Sequence, residues 1–248
     1  MLKIYCKSDI GKSRSSNQDA MFKKKLSDGS YLAVVCDGMG GANGGNIASD
    51  IASRIIGMLI CERYKSDMSE NELGTLMSDA IADASLAVYS HSLAHPELFG
   101  MGTTAVVAII KKDGNAYISH VGDSRAYILK DNDAELITHD HSVVQNLIDN
   151  GRLTEEDAKN DPRRSIITRA VGVSDNVEAD FCVCKLEYGD ILLMCSDGLS
   201  NYYDIKENAE VILNFDEENR AQMLIDKANE NGGGDNITVM MVCRIEED

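Results

Sequence analysis

Apolar runs of strand length, several of them leading into a glycine-bearing turn, recur along this chain and restrict its fold more than any other feature. Residues 31–36 read YLAVVC, 103–111 read TTAVVAIIK and 190–196 read DILLMCS, aliphatic and β-branched stretches suited to buried strands. Further extended segments are expected at 4–7, 20–25, 115–121, 124–130, 135–138, 177–186 and 236–245. Asp28-Gly29 is a type I′ hairpin signal, and Asp113-Gly114 and Asp131-Asn132 mark further turns. The period then changes. Ile47, Ile51, Ile55 and Leu59 recur every fourth residue and predict a helix over 46–64. Leu73, Met77, Ala80, Ala84 and Ala87 predict a second, ending before His95-Pro96. Shorter helices are expected at 143–149, at 155–159 behind Thr154 as N-cap, at 204–213 and at 219–230. No repeat, low-complexity run or linker interrupts the pattern, so one α+β domain over 1–248 is the economical reading. Two stacked antiparallel sheets with helices outside suit it, although periodicity leaves other α+β layouts open.

Composition removes several function classes. With 24 Lys plus Arg against 41 Asp plus Glu, the formal charge is −17, which argues against a nucleic-acid or anionic-membrane partner. No stretch approaches the roughly 20 apolar residues of a membrane span. The first nine residues, with Lys3, Lys7 and Asp9, lack a signal-like apolar run, so a cytoplasmic protein is expected. Seven scattered cysteines fit reduced thiols better than a disulfide framework. Cys182 and Cys184 have no second pair to complete a zinc site.

The setting of five aspartates points to chemistry. Asp37-Gly38 and Asp197-Gly198 each end a buried run. Asp123 lies between two predicted strands in Val121-Gly122-Asp123-Ser124-Arg125. Asp235 follows three glycines directly before the last strand, and Asp19 closes Asn17-Gln18-Asp19 before an early one. The segment 38–45 is too long and glycine-rich for a simple hairpin, yet it carries neither G-K-[ST] nor G-x-G-x-x-G. Two carboxylates about 4 Å apart repel by roughly 4 kcal/mol at an effective dielectric of 20, so converging aspartates call for a cation. An all-oxygen ligand set suits magnesium or manganese. His91, His95, His120, His139 and His141 show no H-E-x-x-H spacing and read as ordinary surface or core histidines. With no G-x-S-x-G elbow, a metal-carboxylate hydrolase and a metal-binding module both remain.

Nine motifs in order carry a family resemblance: Arg14-x-x-Asn17-Gln18-Asp19, Asp37-Gly38-Met39-Gly40-Gly41, Gly102-Thr103-Thr104, Val121-Gly122-Asp123-Ser124-Arg125, Thr138-x-Asp140-His141-Ser142, Asn150-Gly151-x-Leu153-Thr154, Ile167-Thr168-Arg169-Ala170-x-Gly172, Ser196-Asp197-Gly198-Leu199 and Gly234-Asp235-Asn236-Ile237-Thr238. Across essentially its whole length the chain resembles the metal-dependent type-2C (PPM) Ser/Thr protein phosphatases, most closely the bacterial single-domain branch. The resemblance implies a four-layer α-β-β-α sandwich, two antiparallel β-sheets flanked by helices, with a metal cluster at one end. It implies two to three Mn2+ or Mg2+ ions per chain. Asp37 then looks like the carboxylate bridging two metals, Gly38 a ligand through its carbonyl, Asp197 and Asp235 further ligands, and Asp19 a ligand through water. Asp123, with Asp197, resembles a third-metal site, and Arg14 the phosphate-binding arginine. The implied reaction is hydrolysis of phosphoserine and phosphothreonine by in-line attack of a water shared by two metals, with no covalent phosphoenzyme.

The implied partners are phosphorylated proteins or peptides and a cognate Ser/Thr kinase, and the implied state is a monomer. Segment 141–172 corresponds to a mobile flap, whose Arg152, Arg163, Arg164 and Arg169 either attract phosphopeptide or form solvated surface. Met39 stands where eukaryotic members often have a histidine that protonates the leaving oxygen. Ala42, Asn46, Ser165 and Asn201 depart from frequent His, Glu, Asn and Asp, and tuning rather than loss is expected from them. A pseudophosphatase of the same fold would usually lack metal aspartates, and all five are present here. A phosphatase dedicated to one regulator would often carry an added sensory domain, for which this chain has no room.

Overall fold

A computed structural model describes residues 1–246, and the side chains of all of these except Gly41, Ala42 and Asn43. The strands are β1 (Leu2–Asp9), β2 (Asp19–Lys25), β3 (Tyr31–Met39), β4 (Gly102–Thr103), β5 (Ala105–Ile110), β6 (Asn115–Val121), β7 (Arg125–Lys130), β8 (Asp133–Leu136), β9 (Asp180–Lys185), β10 (Ile191–Cys195) and β11 (Ile237–Arg244). The helices are α1 (Gly41–Arg63), α2 (Glu70–Ala94), α3 (Val143–Asp149), α4 (Glu155–Ala158), α5 (Asp197–Ser200), α6 (Ala209–Asn214) and α7 (Arg220–Glu230). Two antiparallel sheets result, in the orders β1-β11-β10-β7-β8 and β2-β3-β5-β6-β9, with β4 attached to β3. Among the described residues no helix is long and apolar enough to cross a membrane.

The uninterrupted apolar runs follow from burial on both faces of each sheet. In β3, Leu32, Val34 and Cys36 face α1 and α2, while Ala33 and Val35 face the other sheet. In β11, Ile237, Val239 and Met241 lie in the core with α5, α6 and α7, while Met240 and Val242 face inward between the sheets. Three apolar layers therefore separate four layers of secondary structure, and strict hydrophobic alternation has no place in the central strands.

Local chemistry explains the element ends. Ser69 and Glu72 form a reciprocal capping box at the start of α2, and Thr154 Oγ1 accepts from Asp157 N–H to cap α4. Asp131 and Asn132 both adopt positive φ, at 51° and 63°, as a type I′ turn requires. The expected type I′ turn at Asp28-Gly29 is not formed. Gly29 alone is left-handed, and its N–H bonds Leu26 C=O, while Asp28 Oδ1 accepts from Ser30 N–H. The carboxylate's bond two residues onward favours this turn over the mirror-image one. The predicted helix at 204–213 is also reduced, to Ala209–Asn214. Asp204 spends its carboxylate on Glu207 N–H and its carbonyl on the Asn208 side chain.

The Ile47, Ile51, Ile55 and Leu59 repeat announced α1 correctly but is only partly buried. The deepest stripe lies one residue on, at Ala48, Ala52, Ile56 and Ile60. Its small residues and Gly57 let α1 lie against β2, where a Cβ on Gly57 would stand 2.5 Å from the Phe22 ring. Gly57→Ala is expected to lower stability by about 1–2 kcal/mol through overpacking, although alanine favours a helix interior by about 1 kcal/mol. Urea unfolding measures the difference, and a stabilised variant would refute the close packing.

Candidate active site

Asp37 and Asp19 come together because β2 and β3 pair in register, Asp19 opposite Asp37. The Asp37 peptide is clamped from the Gly102-Thr103-Thr104 segment. Its N–H donates to Thr104 Oγ1 at 3.0 Å, and its carbonyl accepts from Thr103 Oγ1 at 2.8 Å and Thr104 N–H at 2.9 Å. Thr104 Oγ1 also bonds Ser124 Oγ at 2.7 Å, which ties Asp37 to the loop carrying Asp123. Gly38 must be glycine, because a Cβ would sit 2.0 Å from the Gly45 carbonyl oxygen. The glycine-rich segment thus brings the start of α1 against the end of β3.

The other sheet supplies Asp197 and Asp235. Asp197 opens α5 immediately after β10, and Asn201 Nδ2 donates to its Oδ2 at 2.9 Å. Asp235 precedes β11 and pairs with Arg14, Nη2 to Oδ2 at 2.7 Å. Asn236 holds the loop that carries Arg14. Its Oδ1 accepts from Gln18 N–H at 2.8 Å, and its Nδ2 donates to the carbonyls of Ile10 and Ser16, both at 2.9 Å.

Arg14, Asp37, Gly38, Asp123, Asp197 and Asp235 line one cavity of about 400 Å³, together with Met39, Ser165 and Ile167 among others. Asp19 sits behind Asp37 on the neighbouring strand. Its Oδ2 accepts from Ser196 Oγ at 2.8 Å, and its buried Oδ1 has no hydrogen-bond partner. Burial, before all else, pushes the Asp19 carboxyl up to about 7 and that of Asp123 up to about 8. Burial, then the charges of Asp19, Asp197, Asp123 and Asp235, holds Asp37 well above the ordinary carboxylate range. Asp197 is raised by burial and by Asp235.

Such a set of carboxylates resists ionisation unless positive charge joins it. The donor atoms are all oxygen, and one buried carboxylate oxygen is unsatisfied, so the residues fit hard divalent cations.

The family model for protein phosphatase 2C matches residues 10–226. The chain belongs to the protein phosphatase 2C family. This family member is 36% identical to the "Serine/threonine phosphatase stp" of Listeria welshimeri serovar 6b, over 96% of this chain and 94% of that protein. The crystal structure of the serine/threonine phosphatase Stp1 from Staphylococcus aureus superposes with a TM-score of 0.92 at 31% identity, covering 100% of this chain and 96% of that one. The catalytic domain of the serine/threonine protein phosphatase PstP, solved in complex with two manganese ions, gives a TM-score of 0.85 at 29% identity, with 99% of each chain covered. The four-layer α+β architecture agrees with these neighbours.

Several residues around this pocket escaped the sequence. Asn236, Ser196, Thr104 and Ser124 orient the aspartates through bonds to distant segments, and only their place inside the motifs hinted at it. Of the arginines in segment 141–172, Arg163 pairs with Asp161, Arg164 bonds the Lys159 carbonyl and Arg169 pairs with Asp180. The segment reaches the cavity instead through Ser165 and Ile167. Met39 lines it as well, whereas the side chain of Ala42 lies outside the described residues.

Proposed function

We propose that this protein is a Mn2+- or Mg2+-dependent protein serine/threonine phosphatase acting on phosphorylated proteins or peptides. The observation that carries the reading is the convergence of four carboxylates, Asp37, Asp123, Asp197 and Asp235, and one arginine on a single cavity. Asp37, Asp197, Asp235 and the Gly38 carbonyl would hold two cations, with Asp19 behind them, and Asp123 with Asp197 would hold a third. Bound there, divalent cations supply Lewis-acid activation of water and charge compensation for the phosphoryl group.

The chain's own residues do the rest. Arg14, half-exposed at the cavity, has guanidinium N–H groups beyond the one on Asp235 to direct at phosphoryl oxygens. Asn236 keeps the Arg14 loop in place, and Thr104 keeps Asp37 in place, so the binding geometry exists before substrate arrives. Ser165 and Ile167 line the cavity from the flap segment, where the residues flanking a phosphorylated side chain would lie. Residues 1–248 act in this reading as one phosphatase domain, monomeric and cytoplasmic, with 141–172 as its flap and a Ser/Thr kinase as its opposing partner.

Hydrolysis of p-nitrophenyl phosphate and of a phosphothreonine peptide should require added Mn2+, stop with excess EDTA and return when Mn2+ is restored. Activity untouched by EDTA would exclude the cation reading. Cation binding without turnover of either substrate would exclude the phosphatase.

A further inference from the structure

Beneath the cavity, on the side of Asp123, lies a second cluster of titratable groups formed by His120, His141, Asp180 and Arg169. The ligand atoms of His120, His141 and Asp180 lie within 4.8 Å of one another, which first suggests another metal site. The ring geometry argues against it. The two imidazoles stack, with centroids 4.8 Å apart and planes 18° apart. Nitrogen lone pairs lie in the ring planes, so near-parallel stacked rings do not converge on one ion at about 2 Å. The place of a cation beside Asp180 is already taken by Arg169, whose Nη1 lies 2.6 Å from Asp180 Oδ1 and 3.1 Å from His141 Nε2.

The hydrogen bonds give His141 a different task. Gly122 N–H donates to His141 Nδ1 at 3.1 Å, so that nitrogen carries the lone pair. In the neutral ring the proton then sits on Nε2, which faces Asp180 Oδ2 at 3.3 Å, and the 3.1 Å approach of Arg169 Nη1 to Nε2 is a contact between two donors that both serve the Asp180 carboxylate. Arg169 holds the carboxylate, the carboxylate selects the tautomer, and the tautomer presents an acceptor to Gly122. The backbone doubles this connection, because His141 N–H donates to the Gly122 carbonyl at 2.9 Å. Gly122 has φ 102°, and a Cβ there would stand 2.6 Å from Thr104 Cγ2, so the peptide has little freedom to find another partner. His141 also closes the base of segment 141–172, its carbonyl accepting from Thr168 N–H at 2.8 Å.

We propose that His141, held by the Asp180–Arg169 pair, is a positioning residue that fixes the backbone at Gly122, its ring holding the N–H of the Val121–Gly122 peptide, and thereby sets the placement of Asp123 and the cation affinity of that side of the cavity. The proposal rests on reading that cavity as the cation site. Ser124 is tied to Thr104 within the sandwich, and Arg125 to Asp140, the residue before His141. The tie at Gly122 comes from His141 itself, at the flap base. Through it the seating of segment 141–172 reaches a cation ligand without any flap residue touching the ion.

Two substitutions separate the two nitrogens. Asparagine places Oδ1 where histidine has Nδ1, keeping an acceptor for Gly122. Glutamine places Nε2 where histidine has Nε2, keeping a donor to Asp180 and losing the acceptor. Mn2+ binding is measured without substrate, by calorimetry and by the electron paramagnetic resonance of free Mn2+, on wild type, His141→Asn, His141→Gln and Asp123→Asn. His141→Gln should weaken the weakest class of Mn2+ site by about 10- to 100-fold, with the tighter classes within about threefold. His141→Asn should stay within about threefold throughout. Asp180→Asn, which keeps the imidazole but removes the charge that orders it, should move the same class in the same direction and serves if His141→Gln does not fold. Equal losses in His141→Asn and His141→Gln would overturn the proposal in favour of simple packing. An unchanged isotherm in His141→Gln, with loss in Asp123→Asn, would overturn it and leave the cation site standing. Wild-type binding in Asp123→Asn would remove the reading of Asp123 and the proposal with it.

Discussion

Asp37→Asn is expected to lower turnover by about 10³-fold or more and, in the absence of cations, to raise the melting temperature. Asparagine keeps the shape of the side chain, and the clamp from Thr103 and Thr104 acts on the Asp37 backbone, so the fold should persist. What disappears is an ionisable carboxyl whose charged form is opposed by burial and by Asp19, Asp197, Asp123 and Asp235. That cluster exists for function at the expense of stability, and relieving it should separate the two. Steady-state hydrolysis with saturating Mn2+ and thermal unfolding in EDTA test both halves. Turnover within tenfold of wild type would remove Asp37 from the centre of the site.

The second large effect is on pH dependence. Burial raises the folded-state values of Asp19 and Asp123 to about 7 and about 8, from 3.8 in the unfolded chain. The folded protein therefore binds protons that the unfolded chain has released. Stability from this source is fully present below about pH 4 and is lost as pH rises through 7 and 8. Cation-free protein should accordingly melt several degrees lower at pH 8 than at pH 5, each kcal/mol being worth roughly 2–4 °C in a chain of this size. With saturating Mn2+ the slope should flatten or reverse, because cations bind the ionised carboxylates that the cation-free fold resists. Melting curves from pH 5 to 8, with EDTA and with Mn2+, give the comparison. A cation-free protein that gains stability towards pH 8 would contradict the buried cluster.

Much of this was legible because the informative signals are local. Thr154 caps α4 and α3 spans Val143–Asp149, both as expected from the sequence. The aspartates stood out because each sits where a strand ends beside a residue that permits close backbone approach. Other features depended on contacts the sequence does not display. The choice of turn at Asp28 was decided by a carboxylate bonding Ser30. The four-residue helix at Asp197 shows in the sequence only as the end of a strand, since one turn leaves no periodicity to detect. Asn236 reaches Ile10 and Ser16 across some 220 residues, and His141 meets Gly122 across 19. Neither residue type announces such a role, and a buried histidine that orders a peptide has the same one-letter surroundings as one that merely fills space.

The two sheets contribute unequal but complementary portions of the charge. Asp19 and Asp37 belong to β2 and β3 of one sheet, whereas Asp197 and Asp235 flank β10 and β11 of the other. Neither sheet alone gathers the full set of carboxylates, so the repulsion between the two pairs is added only when the sandwich closes. That added repulsion opposes the docking of one sheet on the other, which the apolar layer between them favours. Cations that recognise the completed set act on the closed sandwich and not on its halves. For this protein the metal supply would then govern how firmly the two sheets are held together, as well as whether the finished molecule has its chemistry.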